Sequence, residues 1–156
     1  MQKFKSFITE EVVLDKITVL ILTNSKSKKP EIVTGMLLKA CAELGLPCYR
    51  VVTTEAWISD NDIEKGTVAI KNYDGEEKDI KVDTASTVVF VRAGVLQDEI
   101  GLALLGTLQN SGCMMINDRD GMLTCDNKMS AYTTFERNNI QTPRTSLVNN
   151  EKSIID

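Results

Sequence analysis

The chemistry open to this chain is set first by what it lacks. None of its 156 residues is a histidine, which removes the commonest general base and the Ser-His and Cys-His nucleophile pairs. A reaction here would rest on carboxylates, lysine, arginine, backbone amides or groups supplied from elsewhere. Cys41, Cys48, Cys113 and Cys125 form no C-x-x-C pair and have no histidine to complete a zinc set, so reduced, buried thiols are expected. The cations say more. Lys26, Lys28 and Lys29 share a polar loop with Asn24, ahead of a predicted helix whose free N–H groups would favour an anion. That loop lacks the glycines of G-x-G-x-x-G or of a P-loop, so a dinucleotide or Walker site is not expected, and a solvated lysine loop is the plain alternative. Arg92 stands just past five apolar residues and before Gly94, where a guanidinium can hold a carboxylate or phosphate through two parallel hydrogen bonds, or pair with Asp98 or Glu99. Asp118, Arg119 and Asp120 could bind metal or move protons, although capping and solvation are their more ordinary uses. Lys128 lies in the first turn of a predicted helix, where a cation opposes the dipole unless an anion is close, or simply reaches into water.

The elements that must position these groups follow from hydrophobic pattern. Residues 17–23 form an unbroken β-branched and aliphatic run, the mark of a strand buried on both faces. Apolar residues Ile32, Val33, Met36, Leu37, Ala40 and Leu44 then recur at helical steps, with Pro30 in the first turn and Gly45 at the exit, and residues 47–52 read as a second strand. This is a right-handed βαβ opening. From 53 to 86 the pattern changes to a polar stretch around Trp57 and two segments, 67–73 and 78–82, flanking Asp74-Gly75, which predicts a small antiparallel hairpin insertion. Residues 87–91 are a third buried strand, 97–110 a helix, and 113–116 a short fourth strand. A helical turn through Leu123 precedes a helix over 127–138 with Asp126 as N-cap, and 145–148 begins a new strand. The expected class is therefore α/β, an open, mainly parallel, doubly wound sheet. In such sheets ligands bind outside the carboxyl ends of the strands, so the loops at 24–29, 92–96 and 117–121 should share one rim. Asn24 and Arg92 are the substrate-side candidates on it.

Composition bounds the partners. At 42% hydrophobic residues one domain can bury a real core, and a net charge of -4 argues against nucleic acid or an anionic membrane surface. No apolar run approaches the ~20 residues that cross a bilayer, and a cytoplasmic location is expected.

Three segments taken together resemble a known family. They are Val88-Val89-Phe90-Val91-Arg92 followed by a helix and Gly112 to Asn117; Cys125-Asp126-Asn127-Lys128-Met129-Ser130-Ala131-Tyr132; and Asn139-Ile140-Gln141-Thr142-Pro143-Arg144-Thr145. Their order resembles the ATP-grasp ligases, nearest to the RimK-like (ribosomal protein S6 glutamate ligase) and glutathione-synthetase branch. The resemblance covers residues 87–156 well and 17–52 only at the level of fold. It implies a tail or short helix at 1–13, a Rossmann-like pre-ATP-grasp domain at 14–124, and at 125–156 a linking helix and the start of an ATP-grasp domain absent from this chain. It also implies that Lys128 contacts ATP phosphates, that Arg92 faces the cleft holding a carboxylate substrate or acceptor amine, and that Asn117 is structural. Two departures stand out: Asn127 separates Asp126 from Lys128, and Asn139 occupies a position where glycine is usual. The implied activity is carboxylate–amine ligation through an acyl phosphate, acting on a small molecule or peptide. ATP and Mg2+ would serve the full-length protein, with neither bound to this chain, which alone would be inactive. The expected partners are the missing ATP-grasp domain and further copies of the chain. The competing expectation is a stand-alone α/β module that binds a small anion or a protein without catalysis.

Overall fold

The computed structural model describes residues 17–26, 31–73, 77–92 and 94–146. The chain divides into two compact units, Met1–Asn117 and Asp118–Asp156. In the first, β1 (Thr18–Thr23) leads to α1 (Ile32–Glu43) and β2 (Cys48–Val52). Four strands of an insertion follow: β3 (Ala56–Trp57), β4 (Ile63–Glu64), β5 (Thr67–Tyr73) and β6 (Glu77–Asp83). The chain then returns through β7 (Thr87–Val91), α2 (Glu99–Asn110) and β8 (Met114–Ile116). The four long-range partners β2-β1-β7-β8 make one sheet in that order, every pairing parallel.

The apolar run of β1 is central because it is covered on both sides: Leu20, Ile21 and Leu22 are fully buried. Its residues alternate between two cores. Leu20 and Leu22 join Val51, Val89 and the α2 residues Leu104, Leu105 and Leu108, together with Val68, Ile70, Ile80 and Val82 from the insertion. Val19 and Ile21 face the other way, toward Cys41 of α1, with Leu37, Leu38, Cys48 and Phe90 partly buried around them. The two crossover helices thus lie on opposite faces of one parallel sheet.

Two sequence expectations are corrected by these coordinates. The insertion is not a lone hairpin but a four-stranded antiparallel sheet, in which β5 pairs with β6 along one edge and with β3 and β4 along the other. The two dipeptide strands were hidden in the polar stretch because two residues are too short to show a period. The turn at Asp74-Gly75 lies outside the described residues. The second correction concerns α1, whose expected core stripe is largely exposed: Ile32 is 83% accessible, and Met36 and Leu44 65% each. The buried positions are Thr34 and Cys41. The return to β2 fixes this roll. Gly45 takes φ +69°, Leu46 N–H donates to Cys41 O at 2.9 Å, and Val19 N–H donates to Pro47 O at 2.8 Å, so the Cys41 edge of the helix is drawn onto the sheet.

The second unit is a pair of helices, α3 (Arg119–Asp126) and α4 (Lys128–Arg137), neither containing a fully buried residue. Asn127, not Asp126, caps α4: its Oδ1 accepts from Ser130 N–H at 3.1 Å, while Asp126 is still the last residue of α3. Asn139, just past α4, takes φ +56°. Asparagine enters the left-handed region more readily than other L-residues, which suits it to this position. Residues 145 and 146 form no strand, and the rest of that expected strand lies outside the described residues.

Candidate functional site

Two of the expected substrate-side residues are brought together. Arg92 extends β7 by one further ladder bond, its N–H donating to Leu22 O at 3.0 Å, so it sits beside the end of β1. Asn24 is two residues beyond that bond, and it packs over Gly94. A Cβ built on Gly94 would fall 2.6 Å from Asn24 Cγ, and the backbone there has φ +93°. Only glycine meets both demands, which explains why the Arg92 loop carries it. The loops after β1 and β7 therefore meet at the carboxyl edge of the sheet. Asn117, the start of the third loop, is exposed at the end of β8.

The electrostatics of this rim centre on arginine. Arg92 is half-buried, its Nε is sealed from solvent, and that Nε has no hydrogen-bond partner. The alternative pairing to Asp98 or Glu99 is not made: Asp98 instead caps α2, accepting from Ile100 N–H at 3.1 Å and Gly101 N–H at 3.2 Å, and no ion pair found among the described residues uses Arg92. Lys26 is largely spoken for, pairing with Glu55 at 3.3 Å. Lys28 and Lys29 lie outside the described residues.

A second arginine was missed by sequence reasoning. Arg50 lies in β2, where its Nη2 donates to Ser25 O at 2.6 Å, just beyond β1. A charged residue inside the run Cys48-Tyr49-Arg50-Val51-Val52 was the available signal, since a charge within an otherwise apolar strand is seldom buried without a partner. The same strand is tied to the insertion by the buried Asn72, whose Oδ1 accepts from Val52 N–H at 3.1 Å and whose Nδ2 donates to Arg50 O at 3.3 Å.

The remaining candidates lie in quieter settings. Lys128 is exposed at the first position of α4. Lys128 lines neither the recess of about 350 Å3 between α3 and α4 nor the one of about 320 Å3 beside residues 142–145. Asp118 caps α3 through Gly121 N–H at 2.8 Å, and Arg119 Nη1 lies 3.3 Å from Asp120 Oδ1. Among the described residues no group of three or more His, Cys, Asp or Glu could hold a metal ion. Two of the thiols resist ionisation. Burial, then the adjacent Cys41 thiol, pushes Cys48 up to about 12, and burial pushes Cys113 up to about 11. An apolar cleft of about 150 Å3 between β3 and α2, lined by Trp57, Ile58, Ile100 and Leu104, offers only the Thr107 hydroxyl for chemistry. No described helix is long and apolar enough to cross a membrane.

A scan against protein-family models finds none that matches the chain, and a search of the curated proteins finds no match.

Proposed function

We propose that this chain is the substrate-side domain of an ATP-dependent carboxylate–amine ligase of the ATP-grasp superfamily, of the RimK-like and glutathione-synthetase kind. In this reading the parallel sheet is a doubly wound, Rossmann-like pre-ATP-grasp domain, cytoplasmic, and Arg92 with Asn24 holds a substrate carboxylate at its rim. One observation carries the proposal: the guanidinium of Arg92 has a buried Nε with no partner, at the point where the sheet order β2-β1-β7-β8 reverses direction. Ligands of open α/β sheets bind at such reversals, and a bidentate guanidinium suits a carboxylate. Lys128, exposed at the start of α4, would meet the phosphates of ATP carried with Mg2+ by a further lobe, and that lobe would supply the acyl-phosphate chemistry. In such chemistry preplaced cations and the metal stabilise charge on the transferring phosphoryl group.

Calorimetric titration tests this. The 156-residue chain should bind Mg-ATP weakly or not at all, a gene product extending past Asp156 should bind it, and Arg92→Ala should lose carboxylate binding while keeping a cooperative melt. Tight Mg-ATP binding by the 156-residue chain, or loss of the cooperative melt in Arg92→Ala, would contradict the proposal. The same Arg92 geometry serves the second reading, a stand-alone anion-binding module, which is favoured if carboxylate binds but no longer product takes up nucleotide.

A further inference from the structure

Thr34 Oγ1 and Arg92 Nε are both buried without a hydrogen-bond partner, and the fold places them in one layer. Strand side chains alternate between faces. Phe90 packs with Val19, Ile21 and Cys41 on the α1 side, while Val89 and Val91 pack on the α2 side. Arg92, two residues beyond Phe90 and still held in the ladder by Leu22 O, therefore projects toward α1. Thr34 is 1% exposed and lies seven residues before Cys41, on the edge of α1 that meets the sheet. It is in the first turn of a helix that begins at the carboxyl end of β1, the end at which Arg92 stands. Cys48 packs on this same side, so Arg50, two residues on, also belongs to the layer and reaches back to Ser25 O.

The charge and hydrogen-bonding balance of this layer points one way. A buried hydroxyl left unpaired is destabilising, and an arginine N–H sealed from water without an acceptor costs at least as much. Glu31, the N-cap of α1, places a carboxylate at the helix's positive end but makes no side-chain capping bond there. An acceptor carrying negative charge would satisfy the guanidinium and the hydroxyl together.

We infer that the layer between the first turn of α1 and the carboxyl edge of β1 and β7 seats an oxyanion, a carboxylate or phosphate group of a small molecule, held by Arg92 Nε and the Thr34 hydroxyl. This rests on the reading of Arg92 as the anion-holding residue, and it adds a face, a second ligand group and a charge class.

The test uses the full chain, 15N-labelled, titrated with inorganic phosphate or L-glutamate against sodium chloride at matched ionic strength. One probe should shift the Arg92 Nε–H resonance and slow its exchange with water, and which probe does so assigns the source as phosphate or carboxylate. Thr34→Val, which keeps the side-chain shape, should raise the melting temperature of the ligand-free chain and weaken that probe at least five-fold. Failure of both probes to move Arg92 overturns the site. If Arg92→Gln abolishes binding but Thr34→Val leaves it unchanged, the anion sits on another face: this inference then falls while the proposed role of Arg92 stands.

Discussion

The two faces of the parallel sheet are built from the same strands and differ in almost everything else. Toward α2 the sheet meets both a helix and the insertion, and fourteen residues close into one apolar core. Toward α1 the buried apolar cluster among the described residues is the smaller one of Val19, Ile21 and Cys41, arginines project into the layer, and the helix leaves Ile32 and Met36 in solvent. The difference teaches a division of labour. One face supplies the burial that holds the fold, which leaves the other free to carry unpaired polar groups that packing alone would not select. Sites with unmet hydrogen bonds are costly and persist where the rest of the structure is secure.

The sharpest way to break this comparison is to delete equal side chains from the two faces. Leu105→Ala, at a fully buried position on the α2 side, should cost about 3 kcal/mol, within the range for leucine truncation in close-packed cores. Leu37→Ala, at a partly buried position under α1, should cost about 1 kcal/mol, since less area is lost and the helix can settle. Urea denaturation of both variants, with unchanged m-values, reads the difference. Equal losses would mean that the α1 face is as well packed as the other.

A smaller effect is expected at the joint between the sheet and the insertion. Asn72 satisfies Val52 N–H and Arg50 O at once, and leucine in its place strands both groups. The expected loss is about 2 kcal/mol, seen as a lower urea midpoint. Because Arg50 belongs to the α1-side layer, the same variant should weaken whichever anion shifts the Arg92 resonance. A variant of wild-type stability would show that β2 and β5 are joined by apolar contact alone.

How much of this was legible beforehand depended on which signals are local. The strand at Thr18–Thr23, the crossover helices and the arginine at the end of β7 were readable because burial on both faces writes an apolar run, and a charge directly after it stands out. The approach of Asn24 to Gly94 followed from the rule that loops gather at the carboxyl edge of a parallel sheet. The roll of α1 was not readable. Its apolar residues cover more of the helix than a narrow sheet can bury, and the Gly45 turn rather than periodicity selects Thr34 and Cys41. Thr34 was passed over for the same reason, since a threonine inside a helix looks unremarkable until its burial is known. Asp126 and Asn127 are both good caps side by side, and only the bond to Ser130 decides between them.

The smallest expected effect compares the faces through their thiols. Cys113, on the α2 side, is pushed up to about 11 by burial, with Asp83 adding to it; Cys48, on the α1 side, is pushed up to about 12 by burial and by its neighbour Cys41. Below the ordinary thiol value of 9.0 both residues are protonated whether the chain is folded or not, so they add no pH dependence there. Above it the unfolded chain releases these protons while the folded chain keeps them, so the unfolded state binds fewer protons and stability falls as pH rises, through about 11 for Cys113 and about 12 for Cys48. Lysines and tyrosines titrate in the same range, so the thiol share is the change in slope between the wild type and Cys113→Ala or Cys48→Ala in melts taken from pH 8.5 upward. Both variants should flatten the alkaline decline. Cys41→Ala should also lower the Cys48 titration, because the Cys41 thiol is one of the causes that raise it. If the Cys48 titration is the same with and without Cys41, the two thiols do not act on one another, and the α1 face has lost one of the contacts that define it.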